Sequence, residues 1–116
     1  MHNFKGLIVW QKTRVLVKEI YQLTKLLPED ERFGLTSQMR RAAVSILSNI
    51  AEGAGRGTDK DFARFLDMAI GSSFELESQA IVCVDLDFIP ETEFLKIENQ
   101  IQEIQRMLYA LKSKYS

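Results

Sequence analysis

Apolar residues recur with the period of an α-helix in four separate stretches of this chain, with polar punctuation between them. Leu16, Ile20, Leu23 and Leu27 repeat at 4-3-4 spacing with Gln11, Lys18, Gln22 and Lys25 on the other side, which predicts a helix from about Leu7 to Leu27. Pro28 should end it, because the residue before a proline is pushed out of the α region, and Glu29–Gly34 reads as a polar turn. A second helix should begin near Leu35–Ser37 and close at Gly53, with Leu35, Met39, Ala42, Ile46 and Ile50 as its apolar stripe. Gly53, Gly55 and Gly57 interrupt that pattern, and glycine supplies the left-handed residue that often closes a helix. Thr58 is a good N-cap for a third helix, with Asp59 and Asp61 in its first turn, running to about Leu86.

The third helix carries two apolar stripes. Phe62, Phe65, Ala69, Leu76, Ala80 and Cys83 form one, and Ala63, Ile70, Phe74, Ile81 and Val84 form another. A helix that is apolar on two faces cannot bury both inside a four-helix monomer, so the second stripe predicts contact with another copy. Pro90 restarts the chain as a favoured opener of helices. Phe94, Ile97, Ile101, Ile104, Leu108, Leu111 and Tyr115 then follow at 3-4-3-4-3-4 spacing, the seam of a bundle helix. Short connections make consecutive helices antiparallel neighbours. The expected fold is all-α: one antiparallel up-down-up-down four-helix bundle spanning residues 1–116.

Composition narrows the function classes. Hydrophobic residues make up 46% and charged residues 27% of the 116, as in ordinary folded proteins. No apolar run approaches the ~20 residues of a membrane span. The N-terminus lacks a cationic start and a small-residue cleavage site, so cytoplasm is the expected compartment. A formal net charge of −1 disfavours a generic polyanion binder. The charge is uneven, however: residues 59–87 carry seven acids and two bases, whereas residues 36–58 carry three bases and one acid. The lone Cys83 lies in register with Leu76 and Ala80 as a small buried hydrophobe, and the only histidine, His2, falls in a terminus expected to fray. No helix contains a histidine, which excludes a di-iron bundle built on Glu-x-x-His pairs, and no activated nucleophile or metal cluster is evident. The expectation is a non-enzymatic protein without cofactor, metal or small-molecule substrate.

Two side-chain groups carry the remaining chemistry. Arg40, Arg41, Arg56, Lys60 and Arg64 surround the second helix and the start of the third, where glycines and a helix N-terminus could meet phosphate oxygens. The competing account pairs these bases with Glu52, Glu75, Glu77 or Asp67, within the bundle or between subunits. Ser45, Asn49 and Glu52 share a face of the second helix, either as a ligand pocket or, the favoured account, as a hydrogen-bonded subunit contact. Trp10 and Tyr21 read as packing anchors rather than base-stacking platforms.

The segment FGLTSQMRRAAVSILSNIAEGAGRG, residues 33–57, resembles a bacterial family of four-helix bundle proteins first noted in intervening sequences of large-subunit ribosomal RNA genes and labelled ribosomal-protein-like. VWQKT at 9–13 and FARFLDMAIGSSFELESQ at 62–79 extend the likeness over nearly the whole chain. One position departs: Leu47 stands where the family's common form has proline. The resemblance implies assembly into a ring, usually a homopentamer; the second apolar stripe and the polar stripe make Ile70, Phe74, Ile81, Val84, Ser45, Asn49 and Glu52 the expected interface positions. It also implies kinship with accessory proteins of diversity-generating retroelements, basic barrels that engage a reverse transcriptase and RNA. The expected partners are therefore further copies of the chain and either RNA or a nucleic-acid-processing protein. The alternative is an adaptor that docks a basic partner on its acidic third helix and touches no nucleic acid.

Overall fold

Four helices account for most of the molecule, a computed structural model that describes residues 2–116. They are α1 (Ile8–Leu23), α2 (Leu35–Ala54), α3 (Asp59–Asp85) and α4 (Glu91–Tyr115). Each packs on its neighbours in the cyclic order α1–α2–α3–α4, leaving α1 diagonal to α3 in a bundle measuring 43 × 23 × 20 Å. The four expected stripes form one core. Leu16, Ile20, Met39, Ile46, Ile50, Leu66, Leu76, Ile101, Ile104 and Leu108 are all almost fully buried. Thr13 and Ser73 join them because each hydroxyl donates back to its own helix, to Val9 O at 2.7 Å and Ile70 O at 2.6 Å, so neither is left unsatisfied.

The helix boundaries differ from expectation in instructive ways. α1 stops at Leu23, and Thr24–Leu26 tightens into a 3₁₀ turn before Pro28. Thr24 Oγ1 donates to Ile20 O at 2.7 Å, a second hydrogen bond to the carbonyl that also accepts from the Thr24 backbone N–H. Leu27 nevertheless stays in the core, so the stripe outlives the helix. Thr58 caps α3 as expected, its side chain accepting from Asp61 N at 3.1 Å. Pro90 sits one position outside α4, at its N-cap, rather than inside the first turn.

Gly53 does not close α2 through a left-handed conformation. It lies inside the helix, and no glycine in the described residues has positive φ. Its role is close approach: a Cβ there would stand 2.6 Å from Phe65 Cβ and 3.1 Å from Phe62 Cδ1 of α3. The left-handed residue is Asp87, with φ 60°, in the turn between α3 and α4. His2 is likewise not frayed. Its backbone N–H donates to Ala54 O at 2.7 Å, its ring lies 4.9 Å from both Phe62 and Tyr115, and Nε2 is 3.7 Å from Asp59. The N-terminal segment is thereby tied across the end of the bundle.

Two outcomes follow for stability. Gly53→Ala should lower it by about 1–3 kcal/mol through overpacking against Phe65, despite the ~1 kcal/mol that alanine gains in helix propensity. Ile104→Ala should cost ~2–5 kcal/mol, whereas the exposed Arg106→Ala should stay within about 0.5 kcal/mol of wild type. Urea denaturation of the three variants checks both; a Gly53→Ala midpoint above wild type contradicts the close approach.

Candidate functional site

The five basic residues singled out in the sequence do not form one site. Arg40 lies near the start of α2, and Arg56, Lys60 and Arg64 lie beyond its other end. At 1.5 Å per residue that separates the groups by about 20 Å. Arg40 is also occupied. Its Nε donates to Thr24 Oγ1 at 2.9 Å, a terminal nitrogen donates to Tyr21 O at 3.3 Å, and the guanidinium stands 4.6 Å over the Tyr21 ring. A cation is favoured where carbonyls crowd the C-terminal end of a helix, so Arg40 ties α2 to the end of α1. Arg41, one residue on, is exposed and has no ion-pair partner among the described residues.

At the other end, Arg56 and Arg64 converge on one carboxylate and one ring. Asp61 lies 3.6 Å from Arg56 Nε and 3.5 Å from Arg64 Nε, and the two guanidinium carbons stand 5.1 and 4.7 Å from the Phe65 ring. Asp67, expected as an arginine partner, takes Lys112 at 2.7 Å instead, and Glu77 accepts from Gln105 at 3.0 Å. The competing account holds for two of the five bases, Arg56 and Arg64, and with a different carboxylate: Asp61 is their partner, placed by the N-terminal turn of α3. Lys60 is exposed and has no ion-pair partner among the described residues, in a groove lined also by Thr58, Asp61, Arg64, Asp67 and Lys112.

Ser45 and Asn49 hydrogen-bond within the chain. Ser45 Oγ lies 2.9 Å from Ser72 Oγ of α3, and Asn49 Nδ2 donates to Ser45 O at 2.9 Å. Glu52 is exposed beside them. The second stripe of α3 is split by its burial. Ile70 is only 6% exposed and belongs to the monomer core, as does Ala63, and Val84 packs against the core edge. Phe74 and Ile81 remain uncovered at 47% and 43%. Sequence reading missed a comparable row on α1 and its following turn: Ile8, Val15 and Leu26 are all more than half exposed. Ile8 and Val15 are one heptad apart, the signal that could have found them. Ile8 borders an apolar groove of about 310 Å³ between α1 and α4, lined also by Leu7, Met107 and Leu111. Trp10 packs edge-on to Phe4 at 4.9 Å, an anchor as expected.

Electrostatics divide the molecule along its length. The half containing the α2–α3 turn and both termini (residues 2–15, 45–72 and 103–116) carries nine Lys/Arg and five Asp/Glu. The half containing the α1–α2 and α3–α4 connections (16–44 and 73–102) carries six Lys/Arg and eleven Asp/Glu. In the basic half, Asp59, Asp61, Asp67 and Glu103 are each within 4 Å of a basic side chain; in the acidic half, only Glu93 is, among the described residues. Burial, and secondarily the nearby Glu31 carboxylate, pushes the Cys83 thiol up to about 11, which keeps it protonated beside Met39 Sδ at 3.5 Å. No group of three or more His, Cys, Asp or Glu side chains that could hold a metal occurs among the described residues, and no helix is long and apolar enough to cross a membrane.

The family model described as 23S rRNA-intervening sequence protein matches residues 5–110. A crystal structure of a protein of unknown function from the S23 ribosomal protein family of Bacteroides thetaiotaomicron superposes with a TM-score of 0.85 at 24% identity, covering 91% of this chain and 96% of that one. At that identity the likeness concerns the fold. No curated protein matches the chain.

Arg40→Ala should lower stability by about 1–2 kcal/mol, since it removes charged hydrogen bonds at a helix end, while Arg41→Ala should change it by less than about 0.5 kcal/mol. Thermal or urea denaturation distinguishes them, and equal midpoints contradict a structural role for Arg40.

Proposed function

The chain belongs to the 23S rRNA-intervening sequence protein family, and on that footing we propose that it is a non-enzymatic homo-oligomeric scaffold whose copies close into a ring. One observation carries the proposal: two separate apolar rows remain uncovered, Ile8/Val15/Leu26 along α1 and its following turn and Phe74/Ile81 on α3. Because α1 and α3 are diagonal in the bundle, the rows lie on different sides of the molecule. An isologous dimer needs one self-complementary patch, whereas a ring needs two different patches that meet head to tail. Five copies is the number the family resemblance implies. Contact with RNA or a ribonucleoprotein falls, in this proposal, on Lys60, Arg64 and Arg56, where backbone donors of the α3 N-terminus adjoin them, and not on Arg40.

Light scattering coupled to size exclusion should give a single mass that is a multiple of the monomer, five-fold for the pentamer. Ile81→Asp and Val15→Asp should each reduce it to monomer while keeping the helical content. A wild-type monomer at micromolar concentration contradicts the scaffold; a dimer or tetramer contradicts only the number five. RNA affinity across a salt series should fall for Lys60→Ala/Arg64→Ala, with the log–log slope reduced by about two units. Absence of wild-type binding at low salt removes the RNA contact and leaves the scaffold.

A further inference from the structure

Phe33 is 86% exposed, the most exposed of the large apolar side chains in the described residues. It sits in the α1–α2 connection with the Arg32 guanidinium carbon 5.2 Å from its ring. The antiparallel order of the helices puts this connection at the same end of the bundle as the α3–α4 turn. Leu86, in the α3–α4 turn, is likewise more than half exposed at that end of the bundle. Two connections far apart in sequence thus each present an exposed apolar side chain at one end of the bundle, and neither uncovered helix row contains Phe33 or Leu86.

We propose that this end of the bundle docks a basic amphipathic protein segment, with Phe33 as its apolar anchor. Charge selects the occupant. Glu29, Asp30 and Glu31 flank Phe33, Asp85 and Asp87 flank Leu86, and none of the five is in an ion pair among the described residues. An exposed aromatic side chain at an end rich in carboxylates suits a segment that offers lysine or arginine beside an apolar face. The same carboxylates repel nucleic acid phosphates. Docking here is independent of RNA contact at the basic half.

The probe is a short fluorescein-labelled helical peptide of leucine and lysine, compared with its leucine–glutamate counterpart, titrated with the full chain and followed by fluorescence anisotropy. Wild type should bind the lysine peptide and not the glutamate one. Phe33→Ala should weaken binding by about tenfold or more, as loss of a central aromatic anchor does. Glu29→Gln/Asp30→Asn/Glu31→Gln should weaken it several-fold at low salt and flatten its salt dependence. That variant also keeps a side-chain oxygen for the Leu35 N–H that Glu31 Oε1 accepts at 3.1 Å, so α2 retains its start. Lys60→Ala/Arg64→Ala should bind as wild type. Unchanged affinity in the Phe33 variant, or in the triple variant, overturns the proposal. So does a smaller oligomer mass for Phe33→Ala, because the anchor would then be filled by a second copy.

Discussion

Helices α2 and α3 meet at a point where only a hydrogen fits. With Gly53 facing Phe65 Cβ, the C-terminal turn of α2 can lie directly against α3. The α2–α3 connection is correspondingly short, running through Arg56 and Gly57 to the Thr58 cap. That closeness aligns the remaining contacts of the pair: Ser45 meets Ser72 near mid-helix, and Met39 meets Cys83 further along. It also makes a floor of Phe62, on which His2 and Tyr115 close the end of the bundle. A larger residue at 53 would part the two helices and disturb each of these contacts, since packed interiors relax only partly.

Alternating directions then sort the charges. Residues far apart in sequence share an end: the α2–α3 turn joins both termini, and the α1–α2 connection joins the α3–α4 turn. One end gathers bases with carboxylates placed to pair with them, and the other gathers carboxylates with few bases near. Paired surface charges contribute little to stability in water, a median of about 0–1 kcal/mol. The consequence of this sorting is a field along the long axis rather than a stronger fold. Such a field orients partners as they approach.

Buried polar side chains here tie the helices locally. Thr13 and Ser73 each bond to a carbonyl of their own helix and Thr24 to one of α1, while Arg40 spans from α2 to the Thr24 hydroxyl and the Tyr21 carbonyl at the end of α1. Arg40 shows why an arginine beside a glycine-rich motif is ambiguous in sequence. The guanidinium that would suit a phosphate suits a helix C-terminus equally well, and only the position of α1 decides between them.

The chain by itself determined the number, type and order of the helices, because a 3.6-residue apolar period, two prolines and an N-cap threonine are local signals. It also determined the core, where the Ile97–Leu108 seam and the Met39–Ile50 stripe are buried as the spacing required. Tertiary structure decided what those signals leave open. Whether Ile70 faces a neighbour or the core depends on how the adjacent helices pack around α3. Whether Gly53 ends a helix or admits another depends on where Phe65 lies. Whether His2 frays depends on an acceptor, Ala54 O, that lies 52 residues away in the chain. The five bases separate for the same reason: helix rise places Arg40 and Arg56 at opposite ends of α2, whereas Asp61, one turn from Arg64, holds two of the others together. Periodicity fixes which residues share a face of one helix, but distances between faces exist only once the helices have packed.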